Sequence, residues 1–159
     1  LRETFQDRLI IGAGTVLDSE TARHAILHNA QFIIAPNFSR EVAVMCNRYQ
    51  IPYAPGCTTL TEALQALEAG AAFIKAFPIS DFYGPRLVSV FKTPIPYMPI
   101  LASGGIDLKN LKDYVLRGVD CCGFGSLLTK GSREEIAANA RSIRTLIDEA
   151  RQEMQTTAG

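Results

Sequence analysis

The sequence predicts an α/β fold, a parallel sheet covered by helices, and three observations lead to it. Short apolar runs alternate with amphipathic helical stretches six times along the 159 residues. The connections are brief, and parallel strands need crossovers of the kind those helices supply. Helices also end in a small residue with a strand close behind: Asn29-Ala30 before Phe32, Gly70 before Phe73 and Gly118 before Cys121. Units of this kind build either one barrel or one doubly wound sheet. With 47% hydrophobic residues the chain can fill one sizeable core, and its length suits a single domain over residues 1–159.

Taken in order, Leu1 to Arg8 reads as the tail of a helix. The run LIIGAGTV predicts a strand from Leu9 to Val16, with Gly12 and Gly14 admitting a close neighbour. Asp18 or Ser19 caps a helix through Asn29, whose apolar stripe is Ala22, Ala25, Ile26 and Ala30. His24 and His28 stand one helical turn apart on it, but with no third ligand nearby they read as a solvated face. A strand is predicted over Phe32–Pro36, and Ser39 opens the next helix. Ile51–Cys57 reads as a short strand broken by prolines, leading into a Thr59–Glu62 capping box and a helix that stops at Gly70. Ala71–Pro78 is the fourth strand. After a loop over Ser80–Pro85, a helix is expected over about Arg86–Phe91 and a strand over Tyr97–Ser103. Asp107 caps a helix to Arg117, Gly118 ends it, and Val119–Ser126 is the last strand. A second capping box, Ser132–Glu135, begins a closing helix to about Met154.

A formal net charge of +0 with no lysine or arginine run leaves no electrostatic footprint for nucleic acid or an anionic membrane. The sequence has neither an apolar run of bilayer length nor a signal-peptide pattern, so a cytoplasmic protein is expected. Cys46, Cys57, Cys121 and Cys122 lack C-x-x-C spacing and read as small buried apolar residues in a reducing compartment.

The chemistry centres on Ala71-Ala72-Phe73-Ile74-Lys75-Ala76-Phe77-Pro78. Side chains alternate along a strand, so Lys75 shares a face with Phe73 and Phe77. An ammonium between phenyl rings is poorly solvated, which lowers its pKa and suits it to Schiff-base formation. The plainer account is an edge strand whose lysine reaches out to water. In parallel α/β folds ligands gather at the carboxyl ends of strands. Ser103-Gly104-Gly105 and Gly125-Ser126 join unobstructed amides to a hydroxyl at the last two such ends, a pattern suited to phosphate. Thr15 and Thr58 are strand-end hydroxyls that can hold a carboxylate or serve in capping and packing. Asp81 and Tyr83 follow the lysine strand and either line the mouth of a site or belong to a solvated loop. Glu62 is accounted for by its capping box.

GAGTV at Gly12–Val16, PGCTTLTE at Pro55–Glu62, FIKAFP at Phe73–Pro78, SGGI at Ser103–Ile106 and GSLL at Gly125–Leu128 occur in that order. Together they resemble the 2-keto-3-deoxy-6-phosphogluconate (KDPG) aldolases, also called 4-hydroxy-2-oxoglutarate aldolases. The resemblance implies a (β/α)8 TIM barrel, of which about six βα units are present and two would precede Leu1. It implies a homotrimer that binds a phosphorylated keto acid and needs no metal or cofactor, because an iminium on the lysine serves as the electron sink. By the same resemblance Lys75 forms the Schiff base and Thr15 and Pro36 line a pyruvate pocket. Ser103, Gly104, Gly105, Gly125 and Ser126 would surround the phosphate. The implied reaction cleaves 2-keto-3-deoxy-6-phosphogluconate to pyruvate and glyceraldehyde 3-phosphate. Its galactonate epimer and 4-hydroxy-2-oxoglutarate are alternative substrates.

There are departures from the family pattern. Ser103 stands where threonine is usual, and Phe124-Gly125 where two glycines are common, so Phe124 is expected to narrow the phosphate pocket. Arg2 and Glu3 lie too close to Thr15 to be the family's second-strand arginine and general-base glutamate. The expectation is therefore a piece lacking its N-terminal quarter and poorly active alone. A catalytically silent phosphosugar-binding barrel is a rival reading. Phosphoribosyl isomerase or thiamine-phosphate synthase relatives are another: they share the final two turns but do not require a lysine between Phe73 and Phe77.

Overall fold

The chain divides at the Phe77–Pro78 bond into two units, each carrying its own parallel strand pairing. The computed structural model describes residues 2–5, 8–78 and 80–157. Leu1, Gln6 and Asp7 of the expected helix tail lie outside the described residues, as does the side chain of Asp81.

In the first unit a short helix, α1 (Arg2–Phe5), precedes the segment predicted as the first strand. Leu9–Val16 is reduced there to an isolated parallel bridge between Ala13 and Ile33. Its hydrogen bonds continue on both sides, from Gln31 N–H to Ile11 O at 2.7 Å and from Val16 N–H to Ile34 O at 3.2 Å. Thr15 ends the extended run by adopting φ 59°, a left-handed conformation that strand geometry excludes. Gly12 is needed for the approach of Phe32, whose ring lies 2.4 Å from where a Cβ would stand.

Helix α2 (Ser19–Leu27) is capped by Asp18, whose carboxylate accepts from Thr21 N–H at 2.6 Å and from the Thr21 hydroxyl at 2.9 Å. It stops short of Asn29, which turns left-handed at φ 65°. Strand β1 (Ile33–Ile34) leads to α3 (Arg40–Tyr49), with Ser39 as the predicted cap. The proline-broken strand resolves into β2 (Tyr53–Ala54) and β3 (Gly56–Cys57) on either side of Pro55, which has no N–H to give a ladder. β1 pairs with β2 through Ile33 and Tyr53. Both halves of the Thr59–Glu62 capping box form at the start of α4 (Leu60–Glu68), and Gly70 makes the left-handed stop at φ 87°. Strand β4 (Ile74–Ala76) then pairs with β3. Val16, Ala22, Ile33, Ala35, Val42, Ala43, Cys46 and Tyr53 form the buried core of this unit.

In the second unit the expected Ser80–Pro85 loop contains a single helical turn, α5 (Ser80–Tyr83), followed by α6 (Arg86–Lys92). Strand β5 (Ile100–Ser103) has Ile100 and Ala102 buried. Helix α7 (Leu111–Leu116) starts later than predicted, because Asp107 first organises a turn. Its carboxylate accepts from Lys109 N–H at 2.8 Å and from Asn110 N–H at 3.0 Å. Strand β6 (Cys121–Gly123) pairs with β5 and is shorter than Val119–Ser126, since Ser126 already begins α8 (Ser126–Thr129). The Ser132–Glu135 capping box forms at 2.7 and 3.2 Å and opens α9 (Arg133–Thr157). Asp120 ties this unit together, accepting from Ile100 N–H at 2.8 Å and pairing with Lys92 at 2.8 Å.

The cysteine expectation holds for Cys46 and Cys57, which are buried, and fails for Cys121, which is exposed, while Cys122 is half-buried. Among the described residues no helix is long and apolar enough to cross a membrane.

Candidate active site

Lys75 is the middle residue of β4, and its neighbours Ile74 and Ala76 are 1% and 0% exposed. Alternation therefore turns Lys75, with Phe73 and Phe77, to the other, half-buried face. Its Nζ lies 4.2 Å from the centroid of the Phe77 ring. Desolvation holds the amine below the ordinary lysine value of 10.5. The ring's attraction for a cation acts in the opposite sense.

The backbone places other predicted residues in register with this lysine. Gly56 sits opposite Lys75 in the β3–β4 pairing, and Lys75 N–H donates to Pro55 O at 2.9 Å. Pro36 follows Ala35, which donates to Ala54 O at 3.1 Å, and the Pro36 carbonyl presses on the Cα of Gly56. Thr15 precedes Val16, whose N–H bonds Ile34 O, so Thr15 ends the next segment along. Thr15, Pro36, Gly56 and Lys75 thus stand near the carboxyl ends of successive hydrogen-bonded segments. For a β-branched residue, the left-handed Thr15 is a strained conformation of the sort that persists where the surroundings dictate it.

Of the two readings of Thr58, the structure takes the packing one. Its Oγ1 donates to Phe77 O at 3.2 Å, and its N–H donates to a Glu62 carboxylate oxygen at 2.9 Å. Glu62 takes further bonds from Thr59 N–H at 2.8 Å and the Thr59 hydroxyl at 3.0 Å. Those backbone donors hold its carboxyl below the usual glutamate range, so it is a cap rather than a proton carrier. Sequence reasoning missed the Thr58–Phe77 link, for which spacing carries no signal.

In the second unit Ser103 pairs in register with Gly123, and a Cβ at 123 would lie 3.0 Å from that of Ser103. Gly104 and Gly105 follow with φ 89° and 65°, conformations that glycine adopts at little cost. The turn is held by Asn110, whose side chain donates to Gly105 O at 2.8 Å and accepts from Asp107 N–H at 3.0 Å. Gly125 and Ser126 come two and three residues after Gly123 and are exposed, with open space where a Gly125 Cβ would be. Ser103–Gly105 and Gly125–Ser126 therefore extend from two directly paired strands. Phe124 lies just past the end of β6 and is half-buried. It borders a cavity of about 250 Å³ together with Val115, Val119, Ile147 and Arg151.

Tyr83 is 65% exposed, which suits the solvated reading. His24 and His28 are exposed on α2, and no group of three or more metal-ligating side chains occurs among the described residues.

Comparison with known proteins gives a consistent picture. The chain is 36% identical over 132 residues to the 2-dehydro-3-deoxy-6-phosphogalactonate aldolase of Escherichia coli strain K12, covering 82% of this chain and 64% of that protein. It is 36% identical over 107 residues to the 2-dehydro-3-deoxy-phosphogluconate aldolase of Treponema pallidum, covering 67% and 51%. A crystal structure of KDPG aldolase from Legionella pneumophila, with pyruvate captured as a covalent carbinolamine, superposes with a TM-score of 0.74 at 30% identity. That match covers 94% of this chain and 70% of the other. The chain spans about half to two thirds of the length of these curated relatives. The fold class is the α/β (β/α)8 barrel, with six βα units in this chain. The family model described as KDPG and KHG aldolase matches residues 2–143. Nearly the whole sequence is accounted for by that match, and the chain belongs to the KDPG and KHG aldolase family.

Proposed function

We propose that this chain, as one domain, carries the Schiff-base machinery of a class I aldolase that cleaves 2-keto-3-deoxy-6-phosphogluconate to pyruvate and glyceraldehyde 3-phosphate. The observation that supports it best is Lys75, a half-buried strand lysine whose amine is desolvated beside Phe77 and held below its ordinary pKa. A larger share of neutral amine at neutral pH means a larger share of nucleophile.

In this reading the Lys75 amine adds to the C2 carbonyl, giving a carbinolamine that loses water to become an iminium. A water molecule takes the proton of the C4 hydroxyl, the C3–C4 bond breaks, and its electron pair moves into the iminium to form an enamine. Glyceraldehyde 3-phosphate leaves. The protonated water returns a proton to the enamine at C3, and a second water adds to the resulting iminium, releasing pyruvate and the free amine. Thr15 and Pro36, at the ends of the segments next to β3, suit the pyruvate half. The amides of Gly104, Gly105 and Gly125 and the hydroxyls of Ser103 and Ser126 suit the phosphate, because unobstructed backbone donors favour an anion.

The galactonate epimer is the second substrate reading, favoured by the 36% identity with the E. coli phosphogalactonate enzyme. A homotrimer in the cytoplasm accompanies the family resemblance, and the mass of the native particle in solution checks the oligomer. Incubation with pyruvate and borohydride tests the central claim. A reduced pyruvyl adduct on the Lys75 peptide is expected, and an unmodified Lys75 under conditions that trap a control class I aldolase would sink it. Comparing kcat/KM on the two epimers assigns the substrate.

A further inference from the structure

The strand that bears Lys75 ends in a peptide clasped from the neighbouring chain segment. Phe77 N–H donates to Cys57 O at 3.4 Å, and Phe77 O accepts from Thr58 Oγ1 at 3.2 Å. Both polar backbone groups of Phe77 are therefore engaged by two consecutive residues at the end of β3. Thr58 is itself fixed, because its N–H bonds the Glu62 carboxylate, which also holds Thr59. A chain of contacts results: Glu62 orients Thr58, Thr58 holds the Phe77 carbonyl, and the Phe77 ring lies 4.2 Å from Lys75 Nζ.

We propose that Thr58 is a positioning residue for the Lys75 amine, acting through Phe77. The proposal rests on the Schiff-base reading of Lys75 and deepens it. β4 ends at Ala76, so Phe77 lies just beyond the last ladder position, at a proline that cannot extend the pairing. Without the Thr58 hydroxyl, the Phe77 carbonyl loses its side-chain donor, and the following peptide bond, to Pro78, has no N–H that could re-anchor the turn. The ring can then swing from Nζ and admit water. Rehydration favours the ammonium, so less free amine is present at a given pH.

The test uses the full chain with Thr58→Val, which removes the hydroxyl at nearly constant shape, and Thr58→Ser, which restores it. The rate of borohydride trapping with pyruvate is measured from pH 6 to pH 10. For Thr58→Val the profile should move to higher pH by about half a unit, a roughly threefold loss of rate at neutral pH. Thr58→Ser should return the wild-type profile. A Thr58→Val profile superimposable on wild type overturns the proposal, as does a uniform fall in rate at every pH that serine does not rescue. Circular dichroism melting accompanies each variant. If Thr58→Val does not fold, Thr58→Ser and Phe77→Ala decide the matter, the latter opening the space beside Nζ to water and expected to give the same upward shift. An unmodified Lys75 in the wild-type chain instead strikes the underlying Schiff-base reading, so the two failures are distinguishable.

Discussion

Gly56 lies opposite Lys75 in the β3–β4 pairing, with the Pro36 carbonyl packed against its Cα. A Cβ at this position would fall 2.0 Å from Pro36 O and 2.3 Å from its carbonyl carbon. Those are backbone atoms of the adjacent segment and have nowhere to go. Gly56→Ala should therefore destabilise the chain by about 3 kcal/mol or more, a severe case of overpacking. Urea unfolding checks this, and a midpoint unchanged from wild type would contradict the packing.

Lys75 carries a stability cost that depends on pH. Its folded pKa is depressed, so the unfolded chain binds more protons at this site between that value and 10.5. Stability at this site consequently rises as pH climbs through that window and is lowest where the amine is charged in both states. Lys75→Met should be more stable than wild type near neutral pH, with the advantage shrinking toward pH 10.5. Denaturation of both proteins across the alkaline range reads the difference directly. The same substitution should abolish pyruvate trapping.

The Thr59–Glu62 capping box behaves in the opposite limb. The Glu62 carboxyl is held below 4.5 chiefly by the Thr58 and Thr59 amides. Its contribution is present above 4.5 and is lost as pH falls through the lowered folded value. Glu62→Gln should be less stable than wild type at pH 7 and indistinguishable from it once the carboxyl is protonated in both states. Thr59→Ala should cost about 1 kcal/mol at neutral pH, as loss of an N-cap usually does.

The four thiols should separate by accessibility. Burial pushes Cys46 up to about 11 and Cys57 up to about 12; desolvation raises Cys121 too, but its side chain is exposed to reagent. Native protein treated with iodoacetamide at pH 8 should label Cys121 first and leave Cys46 and Cys57 unmodified until urea unfolds the chain. Peptide mass spectrometry gives the order, and early labelling of Cys57 would contradict its burial.

Much of the architecture was legible in the residues because it is written in short-range chemistry. Both capping boxes, the Asp18 and Ser39 caps and the left-handed stops at Gly70 and Gly118 each depend on neighbours within about one helical turn. The alternation that puts Lys75 on a face with Phe73 and Phe77 is equally local, and β4 realises it. Reading strand ends also picked out Thr15, Ser103–Gly105 and Gly125–Ser126 as candidates, and the family resemblance added Pro36.

The tertiary structure decided the rest, because it turns on residues far apart in the chain. Leu9–Val16 shrinks to a bridge at Ala13 because Thr15 is held left-handed beside the β1 segment. Cys121 is exposed while Cys46 and Cys57 are buried. The Thr58 hydroxyl reaches a carbonyl 19 residues away. The sequence by itself determined most of the caps and helix stops and which lysine shares a strand face with Phe77. Only the folded chain determined what lies against that lysine, because a hydrogen bond between distant segments has no period or spacing for a sequence to display.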